Sequence, residues 1–418
     1  GPTNSMGAIQ DLFDATISWQ DHRLGRNCIK TRPFTQSARH PSTFQRAKVQ
    51  RKMSRVQIWK QESPNKMTRL VYLPDAIQDG PKDEDIEIVG VEPVVADDHG
   101  DFLIDPNFNS DGFDAVHAYT VVRQIMTMYQ RSLWRIGRQK PLKWQWGLGP
   151  IAVNPRAGIA PGACYSRSER KIEFFSTKNG DMMNHSIRTF SVVAHEVGHA
   201  ILDAIRPGYW SSWQAETGAL HESFADLTAI FSTLSKHDMC RTIIFLSRGD
   251  LEDKSYFWIT NGGQAKTSDR EFGKAFEAAE HDLTMYDVVA EVHDISLVFT
   301  GAMYDILTSI FKLTRNSQVQ DDAETLYKVG QHLMDLLLQA ILNGPPQNAT
   351  FKDIADRMIS FEKNQRVKQI IRTQFEKRYI LGKERIVPPK HPVSEIRWGN
   401  CQCCLSRDEH LTAIGFTG

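Results

Sequence analysis

The stretch SVVAHEVGHAILDAIRPGYW, residues 191–210, contains two histidines four positions apart, with a glutamate directly after the first. On a helix, this spacing places His195 and His199 on one face, one turn apart, where both imidazoles can reach the same metal ion. Glu196 lies beside them, where a carboxylate can receive a proton from a metal-bound water. The pattern predicts a zinc-binding helix, although such a string arises by chance in about one in a hundred chains of this length.

A tetrahedral zinc site needs a third protein ligand, and the segment ETGALHESFADLTAIF at residues 216–231 offers two carboxylates. Glu222 and Asp226 are four positions apart and share one helix face. The apolar residues of the segment have the opposite phase: Leu220, Phe224, Leu227 and Phe231. Either carboxylate alone would most often be solvated, but after the histidine pair we expect Glu222 to bind the metal. Asp226 is then expected to accept a hydrogen bond from the ring nitrogen of a ligand histidine.

Periodicity predicts the elements that must hold these residues in place. FDAVHAYTVVRQIMTMYQRSLWR predicts a long helix from Phe113, and further helices are predicted at 187–206, 217–235, 292–313, 322–343 and 350–380. WQWGLGPIAV (144–153) and CYSRSERKIEFFS (164–176) are interpreted as short strands, the second alternating from Lys171 to Phe174. A small strand region followed by packed helices predicts an α+β fold.

The composition is that of an ordinary globular protein. Hydrophobic residues make up 41% and charged residues 24%, with a formal net charge of zero, which argues against a fibrous or disordered chain and against bulk attraction to nucleic acid. The chain has no apolar run of membrane-spanning length, so we expect no membrane span and a cytoplasmic location. Six scattered cysteines are too few for a disulfide framework in 418 residues, so reduced thiols are expected.

Charge is arranged in two opposite blocks near the N-terminus. Residues 23–69 contain thirteen Lys or Arg and one acid, whereas residues 75–114 contain thirteen acids and one base. The basic block could bind an anionic partner such as nucleic acid, or it could be a solvated or internally paired extension, because the two blocks can neutralise each other. The second interpretation is favoured, since most charge blocks are of that kind.

The two zinc helices resemble those of the thermolysin family, within the glutamate-zincin clan. VVAHEVGHA is similar to the first zinc helix of the family, and ETGALHESFAD to the second, with Gly218, Ala219, Glu222 and Asp226 on motif positions. DAVHAYTVVRQIMTMY (114–129) is similar to the helix before the family's substrate-binding edge strand, and NATFKDIADRMI (348–359) to its C-terminal helix. The likeness covers about residues 110–380, and the zinc helices are its specific part.

The resemblance implies a zincin fold, in which the active-site cleft lies between a small β-containing N-terminal lobe and a mostly helical C-terminal lobe. It implies a zinc endopeptidase or selective processing protease, with one catalytic Zn²⁺ held by His195, His199 and Glu222 and with Glu196 as general base. EVHDIS (291–296) resembles the segment whose histidine hydrogen-bonds the transition state, which implies a catalytic role for His293. The substrate would be a peptide or protein.

Substrate contacts also follow from the resemblance. GACY (162–165) stands where the edge strand would present backbone groups to a peptide, so Gly162, Ala163 and Cys164 are candidate substrate-binding residues. Trp213 stands where the family usually has an oxyanion-binding tyrosine, and an indole N–H can donate but cannot exchange a proton at neutral pH. Tyr209 or Tyr165 could replace that tyrosine. His117, His185, His221 and His281 are assigned no role.

Two further departures concern the segments around the zinc helices. The loop at 206–216 is slightly longer than in thermolysin, which predicts a different pocket. Ser191 and Thr233 occupy two positions where the family has acidic calcium ligands, so structural calcium is not expected. An alternative function is a zincin-fold binding module with weak or no hydrolysis, which would recognise a protein or nucleic acid through the basic region at 23–69.

The chain is accordingly divided into five segments. Residues 1–6 are interpreted as a tag remnant, and residues 7–109 as an N-terminal extension with the basic and acidic blocks. Residues 110–206 would form the N-terminal lobe with the edge strand and first zinc helix, and residues 207–385 the helical lobe. Residues 386–418 form a tail in which Cys401, Cys403, Cys404 and His410 could bind a second zinc, act as a redox switch, block the catalytic metal or carry a lipid. A plain exposed tail is favoured.

Overall fold

The computed structural model describes residues 53–60, 67–75, 77–212, 214–252, 281–288 and 292–387. Several sequence-based expectations fall on other positions. Most of the basic block at 23–69, the oxyanion candidate Trp213 and the cysteines of the tail lie outside the described residues.

Short strands make up the N-terminal part of the described chain. β1 (Ser54–Trp59) and β2 (Thr68–Leu73) pair antiparallel. β3 (Ile86–Ile88), β4 (Ile151–Asn154), β5 (Ala163–Ser166) and β6 (Lys171–Phe174) form a sheet of order β3-β4-β6-β5. In this sheet β3, β4 and β6 run parallel, whereas β5 is antiparallel to β6 and lies at the edge. β7 (Ser176–Asn179) and β8 (Met182–His185) form a separate hairpin.

The two predicted strand regions have different outcomes. Most of residues 164–176 lie in the β5–β6 hairpin, and the alternation from Lys171 to Phe174 is confirmed, since Ile172 and Phe174 are buried. The prediction at 144–153 is wrong over its first part, because the strand begins only at Ile151. Gly147 and Gly149 have φ of 84° and 100°, a left-handed conformation that bends the chain away from an extended path.

Nine helices are present in the described residues, together with a single 3₁₀ turn before the second. They are α1 (Ser110–Arg135), α2 (Phe190–Ile205), α3 (Pro207–Trp210), α4 (Ala215–Leu234), α5 (His237–Ser247), α6 (Val292–Thr314), α7 (Asp322–Asn343), α8 (Phe351–Phe361) and α9 (Gln365–Lys377). Five of them confirm sequence-based helices to within about three residues. The protein is thus a mixed α+β chain with a small N-terminal strand region and a helical C-terminal part.

The prediction of one helix over 350–380 is wrong. The chain forms α8 and α9, separated by residues 362–364. Asn364 Oδ1 accepts hydrogen bonds from the backbone N–H groups of Arg366 and Val367, which satisfies donors that the start of a helix leaves unpaired. This cap stabilises a new helix start at a position where apolar spacing alone suggests continuity.

α4 is the central helix of the core, and only Asp226 among its residues is not buried. It packs between α2 and α6. α6 is long and apolar enough to cross a membrane by length and composition, but 78% of its most apolar window is buried inside the protein. Core helices pass the same test, so this helix is weak evidence for a membrane span.

The backbones of α2 and α4 approach each other closely at Gly198. A Cβ atom added there would lie 2.8 Å from Ala225 Cα and 2.7 Å from Thr228 Oγ1, both on α4. Such distances are far below van der Waals contact, so this spacing of the two helix backbones requires glycine at 198. The close contact sets how far α4 stands from the histidines of α2.

Candidate metal centre

Three ligand atoms from α2 and α4 converge at one point. His195 Nε2 and His199 Nε2 lie 3.0 Å apart, and Glu222 Oε2 lies 3.2 Å from the first and 3.6 Å from the second. Among the described residues, no other set of three or more His, Cys, Asp or Glu side chains could hold a metal ion. The ligand set expected from the sequence is therefore brought together in space.

The spacing of the three atoms fits a small cation. Tetrahedral coordination with bonds of about 2.0–2.2 Å separates neighbouring ligand atoms by about 3.3–3.6 Å, which is close to the three observed separations. Glu222 is only 1% exposed, so the interpretation of this carboxylate as a solvated surface group is wrong. A buried acid needs compensating positive charge, which the histidines and a bound cation can supply.

The electrostatics of the cluster couple the carboxylate to the imidazoles. Burial raises the pKa of Glu222, but positive charge on His293 and His199 and the hydrogen bond from His195 hold that pKa well below its usual range. Burial lowers the pKa of His195, but hydrogen bonds to Asp226 and Glu222 raise it well above the ordinary histidine value. The ionised form of Glu222 is thus stabilised where a metal ligand is required.

Each histidine ligand has a partner on its far ring nitrogen. Asp226 Oδ1 lies 2.8 Å from His195 Nδ1, the contact expected from the sequence. His221 Nδ1 lies 2.8 Å from His199 Nδ1. If His199 offers its Nε2 lone pair to a metal, its Nδ1 carries the proton and donates it to His221.

The sequence analysis assigned no role to His221, and this was wrong, because His221 contacts the far ring nitrogen of His199. Its side chain is buried, and it is the residue directly before Glu222 on α4. Adjacent helical residues point about 100° apart, so Glu222 can reach the ligand cluster while His221 contacts the far side of the His199 ring. The sequence signal was this adjacency, but it has meaning only once the packing of α2 against α4 is known.

Glu196 and His293 complete the set of candidate catalytic residues. Glu196 is buried on α2, directly after the first histidine. His293 belongs to the first turn of α6, and its Nε2 lies 3.5 Å from Glu222 Oε2 with 35% of the side chain exposed. Residues nearly a hundred positions apart in sequence therefore meet at one partly accessible cluster.

Neither tyrosine considered as a replacement oxyanion donor points its hydroxyl at the cluster. Tyr165 donates its hydroxyl proton to Asp203 Oδ2 at 2.7 Å, and Tyr209 donates to the carbonyl oxygen of Pro345 at 3.1 Å. Both side chains are buried in these positions. The suggestion that Tyr165 or Tyr209 replaces the family's tyrosine is therefore wrong for this arrangement.

The loop at 206–216 is attached to the helical part of the chain. Arg206 Nε donates to the carbonyl oxygen of Ile341 at 2.9 Å, at the C-terminal end of α7. Ser212 Oγ donates to Asn348 Oδ1 at 2.7 Å. Trp210 packs edge-on, with its ring centroid 5.1 Å from that of His221. These contacts make the loop part of the wall behind the histidines.

The candidate substrate-binding segment lies at the edge of the four-stranded sheet. Gly162 has φ of 74° and immediately precedes β5, in which Ala163 and Cys164 pair with Phe174 and Glu173 of β6. Cys164 is a half-buried free thiol. Among the described strands, β5 is the last in the order of this sheet.

Ser191 and Thr233, the two positions considered for calcium in the sequence analysis, lie in α2 and α4. Thr233 donates its hydroxyl proton to the carbonyl oxygen of Ala229 at 2.8 Å, a contact within α4. Ser191 is buried in the first turn of α2. Both residues are thus placed as parts of helices in the core.

No protein-family model matches the chain, and no curated protein matches it. The geometry of the metal centre is therefore the evidence on which a function can be based. It establishes a His195, His199 and Glu222 group that could hold a metal ion.

Proposed function

We propose that the chain is a zinc-dependent peptide hydrolase with a thermolysin-like zincin fold, acting as an endopeptidase or selective processing protease. The observation that carries the proposal is the convergence of His195 Nε2, His199 Nε2 and Glu222 Oε2 on one point. Glu196 follows His195 on the same helix. A metal site could be purely structural, but structural zinc sites usually have four protein ligands, and often cysteines. Three ligands of the His₂Glu type leave a coordination position for a reactant.

Zinc fits the donor set better than harder or softer ions do. Two imidazole nitrogens and one carboxylate oxygen are the ligands of catalytic zinc, whereas magnesium and calcium prefer shells made of oxygen. Zinc bound there supplies Lewis acidity, which lowers the pKa of water and polarises a peptide carbonyl. Asp226 and His221 hold the two imidazoles in the tautomer that presents Nε2 to the cation.

Glu196 is the general base in this proposal. It accepts the proton that the attacking water loses and then delivers it to the nitrogen of the leaving amine. Its position on α2, directly after the ligand His195, is what assigns it this role. His293 would donate a hydrogen bond from its ring to the oxygen that gains negative charge, since its Nε2 already lies beside the ligand cluster.

In this proposal the peptide extends along Gly162, Ala163 and Cys164, the segment that the resemblance assigns to substrate binding. Extended backbone pairing of this kind recognises any peptide, so side-chain selectivity must come from the surrounding pocket. The loop at 206–216, with Trp213, is the nearest segment in sequence to both zinc helices and is proposed to contribute to that pocket. Trp213 can donate from its indole nitrogen only.

The binding-module alternative has weaker support from the described residues. Arg55 Nη2 pairs with Asp101 Oδ2 at 2.6 Å, and Arg69 Nη1 pairs with Asp238 Oδ2 at 2.9 Å. These described members of the basic block are thus paired within the chain, and Asp101 belongs to the acidic block. A binding module would also have no need of Glu196 as a base.

The test combines metal analysis with cleavage of a diverse peptide library. We expect one zinc per chain and cleavage by the wild type, while Glu196→Gln binds zinc equally and cleaves nothing. Glu169→Gln is the matched control, because Glu169 is an exposed glutamate whose side chain pairs with Lys171. His195→Ala should lose the metal.

Two results would change the interpretation. If the wild type binds zinc but cleaves no peptide, the binding module would be favoured, because the metal site would then have no hydrolytic activity. Metal-free protein after purification with zinc present would overturn the proposal altogether.

A further inference from the structure

A cavity of about 220 Å³ lies between β2, α1, the C-terminal end of α4 and α7. The residues of α1 that line it recur at helical spacing on one face: Gln124, Thr127, Met128, Arg131 and Arg135. Met128 is buried, Gln124, Thr127 and Arg135 are half-buried, and Arg131 is exposed, so this face leads from the core to the solvent-accessible opening of the cavity. These residues have no part in the proposed hydrolase.

The charge of the cavity is positive. Its lining contains no aspartate or glutamate, whereas Arg131 and Arg135 lie one turn apart on the same helix. Arg135 is compensated, because its Nε and Nη2 donate to the two carboxylate oxygens of Asp335, each at 2.8 Å. Within the described part of the chain, no acidic group pairs with Arg131. The charge of Arg131 is therefore not compensated by an acid of the described residues, and an anion beside its guanidinium would be stabilised.

Polar and apolar groups are divided around the cavity. Gln124 and Thr127 on α1 and Gln331 on α7 are half-buried, and none of the three makes a side-chain hydrogen bond to another described residue. Phe231 and Met334 are buried and give the cavity an apolar part. Half-buried amides and hydroxyls are stabilised when a bound ligand or water completes their hydrogen bonds.

We propose that this cavity binds a small organic anion, with Arg131 at its charged group and the apolar part of the cavity against its carbon skeleton. A guanidinium binds the planar edge of a carboxylate or phosphate through two parallel hydrogen bonds. The volume corresponds to roughly seven water molecules, which limits the ligand to a small metabolite-sized molecule. Phosphate monoesters and carboxylic acids share this chemistry.

The experiment measures binding of phenyl phosphate and of benzoate to the full chain by calorimetry at low ionic strength. We expect at least one probe to bind with one site per chain. Arg131→Met should weaken that binding by about tenfold or more, because it removes a charged hydrogen-bonding group. The probe that binds more tightly distinguishes a phosphate ligand from a carboxylate.

Two further variants separate the cavity from general surface charge. Arg372→Met removes an exposed arginine from α9 and should bind the probe like the wild type. Thr127→Phe keeps all charges but fills the cavity, and should abolish binding; circular dichroism confirms that each variant is folded. No saturable binding of either probe below about 10 mM would overturn the proposal. Equal affinities of Arg131→Met and Arg372→Met would do so as well.

Discussion

Replacement of Gly198 by alanine tests whether the approach of α2 to α4 sets the metal site. The added Cβ would lie 2.8 Å from Ala225 Cα, where ordinary contact begins at 3.4 Å, so the two helices must separate by at least about 0.6 Å. Gly198 lies between the two histidine ligands, and Ala225 lies one turn after Glu222. The displacement therefore falls directly on the distances between Glu222 and the histidines.

We expect Gly198→Ala to weaken metal binding and to reduce stability only modestly. Separations of 3.2 and 3.6 Å between Glu222 Oε2 and the imidazole nitrogens would grow toward values that a single tetrahedral ion cannot span. Changes of this kind typically weaken binding by about 10- to 100-fold. Alanine gains about 1 kcal/mol over glycine in helix propensity, against about 1–3 kcal/mol for overpacking. The free energy of unfolding should thus fall by about 2 kcal/mol at most.

Zinc affinity is measured by competition with a chromophoric chelator, alongside urea unfolding. Gly330→Ala is the matched control, because its nearest neighbour is Leu234 Cβ, at 3.0 Å, at the end of α4 remote from Glu222. It makes the same chemical change in a helix and should leave zinc affinity within about twofold of the wild type. If Gly198→Ala also binds zinc within twofold, the close contact does not position the ligands and the reasoning is refuted.

Three further predictions concern groups around the site. Asp226→Ala removes the acceptor of His195 Nδ1 and should weaken zinc binding by about 10- to 100-fold in the same competition assay. Asp114→Ala leaves Arg156, Arg188 and the indole N–H of Trp59 without their buried acceptor and should cost about 3 kcal/mol in urea unfolding. The control Asp111→Ala, at an exposed residue of the same helix that also pairs with Arg156, should cost less than about 1 kcal/mol. Burial, aided by positive charges on Lys236 and Arg188, lowers the pKa of His117 to about 4. Because the unfolded chain binds this proton more readily, the stability from neutral His117 is complete above about pH 6.5 and falls toward pH 4. We expect a loss of about 2 kcal/mol by pH 5 in the wild type, beyond that in His117→Asn, and equal pH profiles would contradict the assignment.

Helices and strands whose residue spacing determines their structure could be predicted from the sequence, because that spacing involves only nearby residues. Two histidines four positions apart share a helix face in any α-helix, so the pairing of His195 and His199 can be predicted without knowledge of packing. The apolar spacing of α1, α4 and α7 likewise predicts their position within a few residues. The strand pair β5–β6 was visible as alternation, but the turn that divides it into two strands, at Arg167–Arg170, was not.

Other features depend on contacts that a pattern does not contain. β1 alternates clearly in SRVQIW, with Val56 and Ile58 buried. It was not predicted, because it lies inside the basic block, which was interpreted as part of an N-terminal extension. The break between α8 and α9 depends on one capping asparagine against a strong apolar period. His221 could not be assigned, because its contact with His199 follows from how closely α4 packs on α2.

The burial of α4 determines the electrostatic environment of Glu222 in the candidate metal centre. A helix with apolar neighbours on nearly every side is a poor place for an ionised carboxylate, since desolvation of such a group costs several kcal/mol. Glu222 nevertheless has a low pKa there, because His293, His199 and His195 concentrate positive charge around it. A hydrophobic residue at 222 would suit the helix better, so the fold gains nothing in stability from this acid. A cation with two charges would compensate Glu222 more fully than the imidazoles alone, which fits a group that could hold a metal ion at this depth.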